Sequence, residues 1–158
     1  MPMVSCSAVA PVLETAVCRV FDGLVHARAR SHHENDPCEH GDCCLLASVG
    51  MRGAVDGVMS IAAPVELCAQ LAAAQMNACG DGDADVAELA VSVLAEIASM
   101  SAGCVATTLQ PVETTWLTPP AVTGSSSQEW DVLRVARNTA VLDVEGRQVL
   151  VSADVTER

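Results

Sequence analysis

The sequence predicts an α+β fold in which helices pack on a largely antiparallel sheet. Two long stretches carry apolar residues at helical spacing, one near the N-terminus and one from Val91 to Leu109. Between and after them lie strand-like runs joined by short turns, and hairpin-linked strands build antiparallel sheet. A length of 158 residues predicts a single domain, 1–158, large enough to bury a core without disulfide or metal staples.

Each element has its own signal. In "SAVAPVLETAVCRVFDGLVHARA", Val9, Val12, Leu13, Val17, Val20, Phe21 and Leu24 fall on one helical face. "RSHHENDPCEHGDCC" is polar, holds a Pro and a Gly, and reads as a loop. "LLASVGMRGAVDGVMSIAA" predicts a hairpin, Leu45 to Gly53 and Val55 to Ala62, turning near the glycines. Pro64 opens a helix through "PVELCAQLAAAQMN", with Glu66 at its positive end. "ACGDGDADVAEL" is an acidic loop in which Asp83 or Asp85 suits the N-cap of the next helix. Its "DGDAD" has the glycine too early for a calcium loop of the EF-hand type. "VETTWLTPPAVTG" predicts a strand ended by Pro119 and Pro120, and "SSSQE" a surface loop. The tail from Trp130 alternates, which predicts two or three strands with Glu145-Gly146 as the last hairpin turn.

Composition narrows the function classes. Aromatics are 2% of the chain, so Val, Leu, Ala, Ile and Met must build the core. The net charge is −12, and such a surface disfavours nucleic acid and anionic membranes, which bind through cations. The N-terminus lacks the basic start and long apolar run of a secretion signal, so the eight cysteines are expected reduced and the protein cytoplasmic.

The segment "VSVLAEIASMSAGCVATTL" carries one charge, Glu96. Its length approaches that of a membrane span. An acid in mid-span costs roughly 2.5–3.5 kcal/mol of insertion free energy, and too few Leu and Ile stand here to offset it. Placed on a helix at about 100° per residue, Ser92, Glu96, Ser99 and Gly103 share one narrow stripe. Leu94, Ile97, Cys104 and Val105 fall on the opposite, core-facing side. The stripe is polar and small, with one long acid among short neighbours that allow another surface to come close. A solvated helix face has the same pattern.

These residues resemble a family. From Leu45 to Gly124 the chain is similar to the CheX/CheC class of chemotaxis phosphatases, in the glycine-marked hairpin "SVGMRGAVDGVMSIA", the helix segment "LAEIASMSAG" and the proline-containing "TPPAVTG". The family writes its helix as Asp or Ser, then E-x-x-N, with a proline downstream. Ser92 and Glu96 match the first two positions, Gly103 the helix glycine, and Pro119 and Pro120 lie near the last. The resemblance implies a single CheX-like domain that binds a phosphorylated CheY-like receiver and hydrolyses its aspartyl phosphate. It implies that the Glu contacts the receiver's lysine, that the Asn amide positions water, that magnesium belongs to the receiver with no cofactor in this chain, and that two chains pair as a homodimer. Ser99 stands where the family has Asn, and a hydroxyl reaches less far and fixes geometry less well than an amide. Ser92 and Ser101 are nearby hydroxyls. The first helix has Glu14 but Val17 three residues on, so no second motif is visible there.

The loop over 31–44 gathers His32, His33, Cys38, His40, Cys43 and Cys44. The residue types suit zinc, but no two well-spaced ligand pairs emerge, so zinc is not expected. Two other readings therefore stand beside the phosphatase: a docking or dimerisation module that has lost the catalytic amide, and a zinc- or redox-responsive structural protein built on this loop.

Overall fold

The N-terminal apolar repeat forms helix α1 (Cys6–Val25), which buries Val9, Leu13, Val17, Val20 and Phe21. The computed structural model describes residues 6–31, 44–79, 86–136 and 138–157. A short strand, β1 (Ala29–Ser31), follows α1. The expected hairpin is present as β2 (Cys44–Gly53) and β3 (Val55–Pro64), in register from Cys44↔Pro64 to Met51↔Gly57. Helices α2 (Val65–Cys79) and α3 (Val86–Leu109) come next. Pro64 closes β3 rather than opening α2, where its missing N–H costs no ladder bond at a strand end. Asp83 and Asp85, the expected N-caps of α3, lie outside the described residues.

The region around Pro119 and Pro120 departs from expectation. Instead of one strand ended by prolines, two short strands flank them: β4 (Thr115–Leu117) and β5 (Ala121–Ser125). Both pair with the same edge of β2, β4 against its end (Met51–Gly53) and β5 against its start (Cys44–Ser48). Proline offers no N–H to a ladder, so the pair interrupts the edge without ending it. "SSSQE" is not a loop throughout, because helix α4 (Ser127–Arg134) begins inside it. Ser126 caps α4 by accepting the Glu129 N–H at 3.2 Å. Ser126 and Glu129 have the spacing of a capping box, a signal present in the sequence. Two strands complete the chain, β6 (Thr139–Val144) and β7 (Arg147–Glu157). Glu145 and Gly146 turn between them with φ of 51° and 80°, the pair of positive values that a tight hairpin turn requires.

The strands form one antiparallel sheet, ordered β1-β6-β7-β3-β2-β4, with β5 also on β2. Side chains alternate across it. Met51, Met59, Ile61, Leu142, Val149 and Val151 face a core shared with α1, α2 and α3. Cys44, Ala62 and Leu150 face a smaller cluster around Trp130 of α4, which is fully buried. Gly57 lies where β3 passes closest to β7: its φ is 145°, and a Cβ there would sit 2.0 Å from the Asp154 carbonyl oxygen. Helix α3 is long and apolar enough to cross a membrane by length and composition, yet Ala90, Val93, Leu94, Ile97, Ala98, Ala102 and Val105 are buried in the core.

Candidate functional site

Helix α3 packs on β2 and β3 with α1 and α2 beside it, and its outward stripe is the candidate site. Successive stripe residues stand about 4.5–6 Å apart along the axis, from the helical rise of about 1.5 Å per residue. Ser92 and Glu96 are exposed, and Ser99 and Gly103 are half-buried. Sequence spacing placed all four together, and the structure keeps them so. Glu96 makes no hydrogen bond or ion pair with any described residue, which leaves its carboxylate available to a partner. Val91 and Met100 flank the stripe as exposed apolar side chains, at 40% and 45% exposure.

Two elements border the stripe. On one side runs β4, whose Leu117 is the nearest neighbour of Gly103. Thr118 pins the end of that strand to β2: its hydroxyl accepts the Gly50 N–H at 2.8 Å and its own N–H donates to the Gly50 carbonyl at 2.9 Å. A small cleft of about 110 Å³ lies there, lined by Gly103, Thr107, Gln110, Glu113 and Leu117 among others. On the other side α1 and α3 diverge. They leave a groove of about 490 Å³ lined by Arg19, Met100, Gly103, Cys104, Thr107 and Thr108.

That divergence corrects one expectation. Cys104 does not face the core with Leu94, Ile97 and Val105; it is exposed in the groove. A helical wheel gives Ile97 and Cys104 nearly the same angle, but Ile97 is buried in the core while Cys104 stands beside Arg19 of α1, where the groove opens to solvent.

Ser101 does not serve the stripe. It is fully buried, and its hydroxyl has no hydrogen-bond partner among the described residues. Ser92 stands nearly two turns from Ser99, about 10 Å along the axis. In α1, Val17 is fully buried and Glu14 accepts a hydrogen bond from Ser31.

His32, His33, Cys38, His40 and Cys43 lie outside the described residues. Cys44 is described: it opens β2, is buried, and packs with Ala62, Trp130 and Leu150. Among the described residues no group of three or more His, Cys, Asp or Glu side chains is placed to hold a metal ion. The Cys68 thiol is pushed up to about 12 by burial first and the neighbouring Cys44 second, so it stays protonated and unreactive at neutral pH.

The sheet order, the helix bearing the stripe and the paired short strands beside it define a fold already known. Residues 45–138 match the family described as chemotaxis phosphatase CheX, and the chain belongs to that family. Solved structures share the fold over nearly the whole length. A CheX from Vibrio vulnificus is 15% identical, with 96% of this chain and 98% of that chain covered and a TM-score of 0.66. A CheX from Desulfovibrio desulfuricans is 16% identical, covering 93% and 98%, with a TM-score of 0.61. A chain of the CheX-CheY-BeF3-Mg2+ complex from Borrelia burgdorferi is 18% identical, covering 94% and 98%, with a TM-score of 0.60. No curated protein sequence matches the chain.

Proposed function

We propose that the protein docks a phosphorylated CheY-like receiver on the exposed stripe of α3 and hydrolyses its aspartyl phosphate slowly. The observation that carries this reading is the free Glu96 carboxylate, one helical turn from Ser99, on the outward face of a CheX fold. The Borrelia relative is seen in a complex with CheY, BeF3 and Mg2+, which supports a receiver as the partner here. A receiver partner would also keep the protein in the cytoplasm.

An acyl phosphate is already activated, so the remaining barrier is placement of water for in-line attack. Water oxygen forms a bond to phosphorus, the bond from phosphorus to the aspartyl oxygen breaks, and the carboxylate and inorganic phosphate result. Magnesium on the receiver neutralises the phosphoryl oxygens. Glu96 sets the register through a charge-assisted bond to the receiver's lysine. Ser99 accepts from or donates to the attacking water from a shorter arm than an amide. Loss of one orienting group typically costs about 10²–10³ in rate, as for an oxyanion-hole donor.

The replacement of the amide favours a second reading, a module that docks without turnover. Decay of phosphoryl-aspartate on a CheY-like receiver separates the two, measured with wild type, Glu96→Ala and Ser99→Asn. We expect weak acceleration by wild type, loss in Glu96→Ala, and a gain of up to about 10²–10³ in Ser99→Asn. Acceleration by Ser99→Asn alone would establish the docking module. No effect from any variant on any receiver would end the receiver-directed reading.

A homodimer is part of the same proposal. Among the described residues, β4 and β5 pair only with β2, which leaves the outer side of that edge open. Beside it, α4 exposes Val132 at 70% along a groove of about 510 Å³ that also includes Leu46, Leu133 and Ala136, and Val135, just past the helix, is 83% exposed. An open edge with adjacent apolar surface suits a second copy.

A further inference from the structure

The receiver reading contains an electrostatic difficulty. The chain carries a net charge of −12, and the stripe itself adds the Glu96 carboxylate. An aspartyl phosphate is also anionic, and so are the carboxylates that hold magnesium beside it. Two acidic surfaces approach each other slowly unless a local cation offsets the repulsion.

The groove between α1 and α3 supplies that cation. Arg19 is exposed on α1 and forms no hydrogen bond or ion pair with any described residue. Arg147 is committed to Glu66, and Arg30 to Asp143 at 3.6 Å, and of the described arginines Arg19 is the one that lines this groove. Arg19 shares the groove with Met100, Gly103, Cys104, Thr107 and Thr108, and none of these is acidic. Met100 is 45% exposed beside Ser99. Gly103 belongs both to the stripe and to the groove, so the two are continuous. A second groove of about 350 Å³ carries the same surface further along α1, past Thr15 and Val12, with Arg19, Cys104 and Thr108 common to both.

We infer that Arg19 and the groove beneath it form a second docking point for the receiver, in which the guanidinium takes a carboxylate on the rim of the phosphorylation site and Met100 covers an apolar neighbour. The inference rests on the receiver reading above. Arg19 borders the level of Met100 and Cys104 rather than the stripe at Ser99, so it meets the rim and leaves the phosphoryl group to Ser99 and magnesium. A planar guanidinium suits a carboxylate, with two parallel N–H donors. Arg19 is a positioning and recognition residue; it takes no part in the bond changes.

The test measures association of the full chain with a CheY-like receiver activated by BeF3− and Mg2+, at low and high salt, for wild type, Arg19→Lys, Arg19→Glu and Glu96→Ala. We expect Arg19→Glu to lower affinity by about tenfold or more at low salt, mainly through the association rate, and the deficit to shrink at high salt. Arg19→Lys should retain most of the association rate. Circular dichroism of each variant checks the fold, which an exposed side chain leaves intact. If Arg19→Glu binds as wild type does while Glu96→Ala loses binding, the second docking point is wrong and the receiver reading survives. If wild type binds no receiver, both fall together.

Discussion

Gly103 shows how a single residue separates folding from docking. It stands in the interior of α3, where glycine costs roughly 0.8–1.0 kcal/mol relative to alanine. Internal packing does not demand it, since a Cβ there would meet only the Leu117 side chain, at an ordinary 3.9 Å. The proposed docking gives the glycine a role, since a bare backbone lets a partner come close. Gly103→Ala should raise the melting temperature by about 2–4 °C, from roughly 1 kcal/mol in a chain of this size, while weakening receiver binding. Thermal melts and a binding titration on the same sample check both halves; a variant that is stabilised and binds normally would remove Gly103 from the interface. Ser99 presents the complementary case: α3 runs unbroken through it, and on the proposed reading its hydroxyl bears on the placement of water.

At the scale of elements, the sheet holds the site still. Strand β2 anchors both short strands on its far edge, and Thr118 ties β4 to Gly50, so the wall beside Gly103 is fixed to β2. The tightest point of that sheet is Gly57. A side chain there meets backbone, which has nowhere to go, and the φ of 145° excludes ordinary residues as well. Gly57→Ala should destabilise by more than about 3 kcal/mol, read as a lower denaturation midpoint in urea, through strain of the kind that produces the largest single-mutation effects. A midpoint within the error of wild type would contradict the close approach of β3 and β7. Helix α4 has a different role: it closes the far face of the sheet with Trp130 and presents Val132 outward, with Val135 exposed at its C-cap.

For the molecule as a whole, charge and exposed edge decide how it meets other chains. Sedimentation equilibrium should report a mass of twice the 16.3 kDa of one chain. Val132→Glu with Val135→Glu should return it to the monomer, because both side chains are already exposed and the fold does not depend on them. A wild-type monomer at all concentrations would end the homodimer proposal. Docking of so acidic a protein should also depend on salt through Arg19 locally, against the general repulsion of the surface.

Much of this was written locally. Helical spacing from Val9 to Leu24 and from Val91 to Leu109, the glycine-marked hairpin and the Glu145-Gly146 turn each depend on neighbours within a few residues, and each stands as expected. The stripe of Ser92, Glu96, Ser99 and Gly103 was legible for the same reason, since helix geometry alone sets which residues share a face. The capping box at Ser126 was also legible in principle, but its helix is short and four serine and glutamine residues disguise it. Contacts between distant elements decided the remainder. The split of one expected strand into β4 and β5 follows from a shared partner, β2, more than sixty residues earlier in the chain. The exposure of Cys104 and the place of Arg19 beside the stripe follow from where α1 and α3 part, which no local pattern encodes because side-chain packing across the whole core sets the distance between two helices. The sequence by itself determined the long helices, the hairpins and the outward carboxylate; only the tertiary structure decided what stands next to that carboxylate.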